Sequence, residues 1–143
     1  MREKIECWIG LQGTFLLRIS IGLIYCLFGI LKFFPNLSPA EDLATTTVHT
    51  LTFGLLSPEL SMILLALWET AIGFLLLLNI LRPLTIALVL LHIAGTFTPL
   101  LLFPELTFTL VGQYILKNII IVSSMLVIST SALKEKKENE NHC

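Results

Sequence analysis

Residues 83–104 read PLTIALVLLHIAGTFTPLLLFP and contain no charged side chain unless His92 is protonated. Residues 118–133 read NIIIVSSMLVISTSAL and contain none either. An α-helix needs about 20 predominantly apolar residues to cross the hydrocarbon core of a bilayer. With their apolar neighbours, both stretches therefore predict membrane-spanning helices.

The composition of the whole chain extends this prediction. Hydrophobic residues make up 55% of the 143 positions and charged residues only 13%, and the mean hydropathy is +0.89. A soluble domain of this size could not cover its surface with so few charges. Four spans with short connections occupy nearly the whole chain. We therefore predict an all-α integral membrane four-helix bundle that forms a single transmembrane domain over residues 1–143.

Prolines and capping residues locate the ends of the spans. We predict spans over residues 12–34, 58–79, 83–103 and 110–133. Ser57 precedes a proline, which is typical of a helix start, and Pro99 predicts a kink or the end of the third span. Ser38, Pro39 and Glu41 form a capping-box pattern. This pattern predicts a short helix between spans one and two, and we place that helix in the membrane interface.

Lysine and arginine residues lie on one predicted side of the membrane. The two termini and the turn after span two carry Arg2, Lys4, Arg82, Lys134, Lys136 and Lys137. The other two connections carry Glu41, Asp42 and Glu105 but no basic residue. By the positive-inside rule, both termini are then cytoplasmic. The polar tail over residues 134–143 is predicted to be cytoplasmic and disordered.

Several kinds of chemistry are disfavoured by the residue types present. Three cysteines without a CxxC spacing argue against a disulfide framework or a thiolate metal site. A membrane haem with two histidine ligands needs two core histidines, and only His92 lies within a span. No basic patch of the kind that binds nucleic acid occurs. We therefore expect no metal and no tightly bound cofactor, and a redox role would use a diffusible quinone or a cofactor held by a partner.

Each predicted span carries one stripe of small or polar residues at helical spacing. Small residues let membrane helices approach closely, and polar residues avoid lipid by facing the bundle interior. Packing alone accounts for the glycines and serines. It does not account for the ionisable residues, because a charge in the bilayer costs several kcal/mol unless it is paired or hydrated. The candidate ligand-binding or polar-cluster residues are Glu69, Lys117, Gln113, Asn118, Lys32, Arg18 and His92.

Simpler roles remain open for some of these candidates. Arg18 and Lys32 lie near opposite ends of the first span, where long basic side chains can reach the interface. His92, on a span that begins inside, is typical of a hydrogen-bonded core histidine and should lean away from Glu69. Glu69 itself could be protonated and hydrogen-bonded to a neighbouring helix, since burial favours the neutral form.

The direction of the helices predicts a partner for Glu69. Along the membrane normal, Arg18 and Lys117 lie at similar distances from Glu69, on opposite sides of the bilayer midplane. Side chains tilt toward the N-terminus of their own helix, so Glu69 leans outward, toward the layer of Lys117, whereas Arg18 leans away. The predicted cluster in the outer half of the bundle comprises Glu69, Lys117, Gln113 and Asn118, with Lys32 as a further candidate.

Short motifs in the order of the chain resemble the DoxX-like (DoxX/DoxD) family of small membrane proteins. Those that carry the resemblance are Leu17-Arg18-Ile19 with Gly22, Phe28-Gly29, Lys32-Phe33, Trp68-Glu69, Ile72-Gly73, Leu78-Asn79, Arg82, Gly112-Gln113-Tyr114 and Lys117-Asn118. The resemblance covers residues 17–128. The connection at residues 99–111 is shorter than the family pattern.

The resemblance implies a four-helix bundle in the cytoplasmic membrane of a prokaryote. Relatives in this family include the small membrane subunit of a thiosulfate:quinone oxidoreductase and proteins linked to oxidative-stress complexes with soluble redox enzymes. It therefore implies an accessory or anchoring subunit of a quinone-linked oxidoreductase system, not an enzyme on its own, with a soluble redox enzyme as partner. A small proton-coupled transporter and a purely structural membrane protein are the alternatives, and a homo-oligomer remains open.

The predicted orientation can be tested by cysteine labelling of intact cells. In a background without the three native cysteines, Glu138→Cys should resist an impermeant reagent added outside, because the positive-inside rule places it in the cytoplasm. Thr46→Cys, between spans one and two, should react. Labelling at position 138 would overturn the assignment.

Overall fold

A computed structural model of the protein describes residues 2–35, 37–38 and 41–141. Its elements, in chain order, are α1 (Arg2–Leu31), α2 (Glu41–Leu51), α3 (Pro58–Leu78), α4 (Arg82–Leu102), a 3₁₀ helix (Pro104–Phe108), α5 (Leu110–Leu116) and α6 (Asn118–Asn141). The segments that are long and apolar enough to cross a membrane are Gln12–Leu31, Pro58–Leu78, Arg82–Leu102 and Leu110–Thr130. The prediction of an all-α membrane helical bundle is confirmed.

Local chemistry explains the ends of α3. Ser57 has extended backbone geometry, and its Oγ accepts a hydrogen bond from the Leu60 N–H at 3.3 Å. The helix ends at Asn79, whose φ of 57° is left-handed and whose N–H donates to the carbonyls of Leu75 and Leu76. Asparagine tolerates this conformation better than most residues. The chain reverses within a few residues, so α4 runs back along α3.

Two predicted boundaries differ from the structure. The first span was expected to reach residue 34, but α1 ends at Leu31, and Lys32 and Phe33 lie in a turn. Pro99 lies within the last turn of α4, which continues to Leu102. The Phe103 N–H donates to the Pro99 carbonyl at 2.8 Å and closes this end of the helix.

The prediction that residues 134–143 are disordered is wrong for the described part of that tail, because α6 continues to Asn141. Lysine and glutamate are good helix formers. Extending an existing helix also avoids the cost of nucleating a new one, so a polar sequence can stay helical beyond the apolar span. Residues 142–143 lie outside the described residues.

The segment between α1 and α3 contains the predicted short helix. This helix, α2, has 11 residues, begins at Glu41 and packs against α3 and α4. Pro39 and Ala40 of the predicted capping box lie outside the described residues. The position of α2 in the membrane interface stays a prediction.

The core of the bundle is built from four helices. The buried cluster comprises Ile21 and Tyr25 of α1, Ile72 and Leu76 of α3, Val89 and Ile93 of α4, and Met125 and Ile128 of α6. Large apolar side chains on the opposite faces are exposed. This distribution suits a bundle whose outer surface contacts lipid tails.

Glycines bring α1 and α3 close together. A Cβ atom on Gly73 would lie 2.6 Å from the Cys26 backbone nitrogen, and one on Gly29 would lie 2.6 Å from the Thr70 backbone nitrogen. Neither neighbour is a flexible side-chain end that could move aside. The two backbones therefore pack at a distance that only glycine permits at these positions, as expected for membrane helix pairs.

Gly73→Ala should destabilise the bundle by about 1–3 kcal/mol, because the added methyl group overpacks the α1–α3 contact. Gly95→Ala is the matched control, since a Cβ atom there meets nothing within 4 Å. Unfolding in mixed detergent micelles measures both. Equal stability of the two variants would contradict the close-packing argument.

Candidate functional site

Four polar side chains form a continuous hydrogen-bonded chain inside the bundle. Lys32 Nζ donates to Glu69 Oε2 at 2.7 Å, His92 Nε2 lies 2.8 Å from Glu69 Oε1, and the Tyr25 hydroxyl lies 3.2 Å from His92 Nδ1. The side chains of Lys32, Glu69 and His92 are 10%, 8% and 9% exposed. We call Tyr25, His92, Glu69 and Lys32 the buried polar chain.

Three helices supply this chain. Glu69 comes from α3 and His92 from α4, whereas Tyr25 lies on α1 and Lys32 immediately after it. Tyr25 and Lys32 are seven residues apart, or about two helical turns, so both lie on the face of α1 that meets α3. Gly29, between them, allows the backbones to approach closely enough for Lys32 to reach Glu69.

Aromatic rings surround the imidazole of His92. The Tyr25 ring packs edge-on with its centroid 5.4 Å from that of the imidazole, and the Trp68 ring does so at 6.2 Å. The indole nitrogen of Trp68 is buried and has no hydrogen-bond partner among the described residues, and the same holds for the Thr70 hydroxyl. Trp68 therefore packs within the bundle, with its ring against His92 and its N–H donor without a partner among the described residues.

Charge balance assigns the protonation of the buried polar chain. A Glu69 carboxylate and a Lys32 ammonium cancel, whereas a protonated His92 would leave a net positive charge in an apolar core, which is costly. A neutral His92 can donate from Nε2 to Glu69 and accept from the Tyr25 hydroxyl at Nδ1. This tautomer follows from the hydrogen-bonding pattern, and it satisfies both imidazole nitrogens.

The predicted pairing of Glu69 with Lys117 is wrong, since Glu69 bonds to Lys32 and His92 instead. Lys117 lies at the break between α5 and α6, is exposed, and places Nζ 4.0 Å from the centroid of the Tyr114 ring. Side-chain tilt predicts position along the helix axis, but the direction in which a side chain points around its helix decides its partners. The prediction that His92 leans away from Glu69 is wrong for the same reason.

The remaining candidates do not contact Glu69. Gln113 is exposed. Asn118 Nδ2 donates to Thr96 Oγ1 at 3.0 Å, one turn along α4 from His92. Arg18 Nη1 donates to the carbonyls of Leu76 and Leu77 in the last turn of α3, so Arg18 caps that helix from a neighbouring span.

Tyr25 was missed as a candidate site residue. The predicted candidates are residues with a charged or amide side chain, together with His92, and a tyrosine falls outside these types. Its spacing of seven residues from Lys32 was the signal that could have identified it.

Among the described residues, no group of three or more His, Cys, Asp or Glu side chains could hold a metal ion.

A double-mutant cycle tests the observed pairing. Glu69→Gln and Lys32→Met should each destabilise the protein, and their interaction energy should be about 0.5–3 kcal/mol because the groups are in direct contact. Lys117→Met should be additive with Glu69→Gln. Coupling to Lys117 rather than Lys32, measured by unfolding in mixed micelles, would contradict the geometry.

Comparison with known proteins supports the family suggested by the sequence motifs. The sequence model of the DoxX family matches residues 13–117, which include all four members of the buried polar chain. No curated protein and no solved structure matches the chain. Because the family match extends over most of the sequence and the fold is a bundle of apolar helices, the chain belongs to the DoxX family of membrane proteins.

Proposed function

We propose that this protein is an accessory membrane subunit of a quinone-linked oxidoreductase system, in which the buried polar chain moves protons to or from the quinone site. The observation that carries the proposal is the unbroken path of hydrogen bonds from Tyr25 through His92 to Glu69 and Lys32. Ionisable groups inside a membrane span are costly and typically mark proton or substrate paths.

The hydrogen-bond directions suit proton transfer. With His92 neutral, Tyr25 donates to Nδ1, and Nε2 donates to Glu69, so both bonds point the same way. A proton that arrives at the Tyr25 oxygen can displace the hydroxyl proton onto Nδ1, and the Nε2 proton then moves to the Glu69 carboxylate. Lys32 stabilises the carboxylate between transfers, and the reverse sequence returns the proton to Tyr25.

We place the proposed quinone ring beside the aromatic side chains around His92. A quinone exchanges two electrons and two protons and dissolves in the bilayer. The Trp68 indole N–H, which lacks a partner among the described residues, would donate to a ring carbonyl. The aromatic rings of Tyr25 and Trp68 offer the apolar surface that such a ring prefers. In this proposal, a soluble redox enzyme exchanges the electrons.

We place the protein in the cytoplasmic membrane of a prokaryote with both termini on the cytoplasmic side. The asymmetry of lysine and arginine residues supports this orientation. It leaves the helical extensions of α1 and α6 on the cytoplasmic side, where a soluble partner could contact them.

A small proton-coupled transporter is the second candidate function. The same ionisable groups at depth favour it, because proton-coupled carriers use buried carboxylates and histidines. The two functions differ in one requirement. A transporter moves protons with its own solute in the absence of a quinone or a redox partner.

Tryptophan fluorescence can detect the proposed quinone site. The chain has two tryptophans, so a Trp8→Phe background leaves Trp68 as the reporter. Decylubiquinone added to this protein in nanodiscs should quench Trp68 fluorescence to saturation. Glu69→Gln should weaken the binding by about tenfold, because the loss of the charge pair releases His92 from its position.

Glu59→Gln is the matched control, since Glu59 is an exposed carboxylate in the first turn of the same helix. Quenching that does not saturate, or that responds equally to both variants, would contradict a quinone site at the buried polar chain. Proton uptake by liposomes that contain the protein alone, without quinone, would favour the transporter.

A further inference from the structure

Two polar side chains, Gln113 and Lys117, lie on the outer surface of the last span. The segment Leu110–Thr130 is long and apolar enough to cross a membrane, and both side chains are exposed within it. They are four residues apart, or about one helical turn, so they share one face of the helix. Neither side chain has a hydrogen-bond or ion-pair partner among the described residues.

Lys117 lies deeper in its span than a lysine at the membrane surface would. It is the eighth of the 21 residues of this segment, or about 10 Å from the start along the helix axis. Its Nζ lies 4.0 Å from the centroid of the Tyr114 ring, and Tyr114 is itself about one turn inside the span. Basic side chains near helix ends can reach the interface, but a charge that faces lipid at this depth is costly unless it is paired or hydrated.

The chain itself has no carboxylate available for Lys117. Of its ten acidic residues, only Glu59 and Glu69 lie within the segments that could cross a membrane. Glu59 lies in the first turn of α3, at the end of the span, and Glu69 is buried between Lys32 and His92. A second copy with the same orientation places equal residues at equal depth, so it would bring a second lysine to Lys117. The counter-charge therefore has to come from another molecule.

Apolar side chains accompany the two polar ones on this face. Leu110, Leu116 and Ile120 are 69%, 38% and 68% exposed, and they lie at spacings of three or four residues along the same stripe. Interfaces between membrane helices combine close packing with hydrogen bonds between the helices. A face that mixes apolar side chains with an amide and an ammonium group suits a helix better than it suits lipid tails. We call Leu110, Gln113, Leu116, Lys117 and Ile120 the Lys117 face.

We propose that the Lys117 face binds a transmembrane helix of a partner protein that carries an aspartate or glutamate at the depth of Lys117. Lys117 Nζ would pair with one oxygen of that carboxylate, and the Gln113 amide would donate to the other. The apolar members of the face would pack against the same helix. This interface is separate from the buried polar chain, so it does not depend on the proton path or the quinone site.

Binding of a synthetic transmembrane peptide tests the proposal. The probe is a leucine-alanine helix of about 20 residues with one glutamate at its centre and an acceptor fluorophore at one end. The full-length protein carries a donor on Cys143 in a Cys7→Ser, Cys26→Ala background and is reconstituted with the peptide in phosphatidylcholine liposomes. Energy transfer should rise to saturation with the peptide fraction. A peptide with leucine at the central position should bind about tenfold more weakly, because it brings no counter-charge.

Variants of the protein locate the binding face. Lys117→Leu should weaken binding of the glutamate peptide by about tenfold, and Gln113→Leu should weaken it by about threefold, since it removes one hydrogen bond. The matched control combines Lys117→Leu with Leu67→Lys. Leu67 is 54% exposed on α3 and is the tenth of the 21 residues of its span, so the charge moves to another face at a similar depth. This double variant should still bind at least about threefold more weakly than the natural protein, because no amide accompanies the charge.

Four outcomes would overturn the proposal. Equal binding of the two peptides, which needs no variant, would show that Lys117 takes no carboxylate. Full recovery of binding with Leu67→Lys would show that any exposed charge suffices. Energy transfer between separately labelled copies of the protein, lost in Lys117→Leu, would show that a second copy covers the face. Loss of peptide binding when phosphatidylglycerol is added would show that a lipid headgroup occupies it.

Discussion

A carboxylate inside an apolar bundle has to be paired, and Glu69 imposes this requirement on its neighbours. Lipid cannot hydrate it, so its two oxygens take donors from Lys32 and His92. The free-energy cost of removing two ions from water offsets much of the stabilisation from their mutual attraction. A buried charge that loses its partner, however, destabilises the protein by several kcal/mol. The pairing therefore restricts how α1, α3 and α4 can shift relative to one another. A displacement of one helix by a few ångströms would separate Glu69 from one of its partners.

Close helix packing makes this pairing possible. Glycines on α1 and α3 bring the backbones together, and Lys32, in the turn just after α1, then lies within reach of the middle of α3. At the other end, Arg18 bonds to the last carbonyls of α3. Small residues thus bring α1 and α3 together, and basic side chains link them at the middle of α3, through Lys32, and at its last turn, through Arg18. His92 on α4 then supplies the imidazole that connects Glu69 to Tyr25.

The surroundings of the buried polar chain limit the chemistry that it can perform. In the protonation state argued above, the buried polar chain carries no net charge, and the rings of Tyr25 and Trp68 lie beside His92. The hydrogen bonds from Tyr25 to His92 and from His92 to Glu69 point in one direction, and Lys32 donates to Glu69 from the other side. A proton path through these groups would therefore run between Tyr25 and Glu69.

The sequence by itself determined the membrane class, the number of candidate spans, the family and the N-terminal cap of α3, because hydropathy and capping are local properties. It also identified Glu69, His92 and Lys32 as unusual, since charges within apolar runs need an explanation wherever they occur. Only the tertiary structure decided the partners. Helical periodicity shows which residues share a face, but not how far each helix is rotated toward its neighbours. The rotation of α1 against α3 depends on their glycine contacts, which leave Lys32 beside Glu69. The break at Lys117 places that residue, the predicted partner, on the outside of the bundle, and His92 bonds to Glu69 instead.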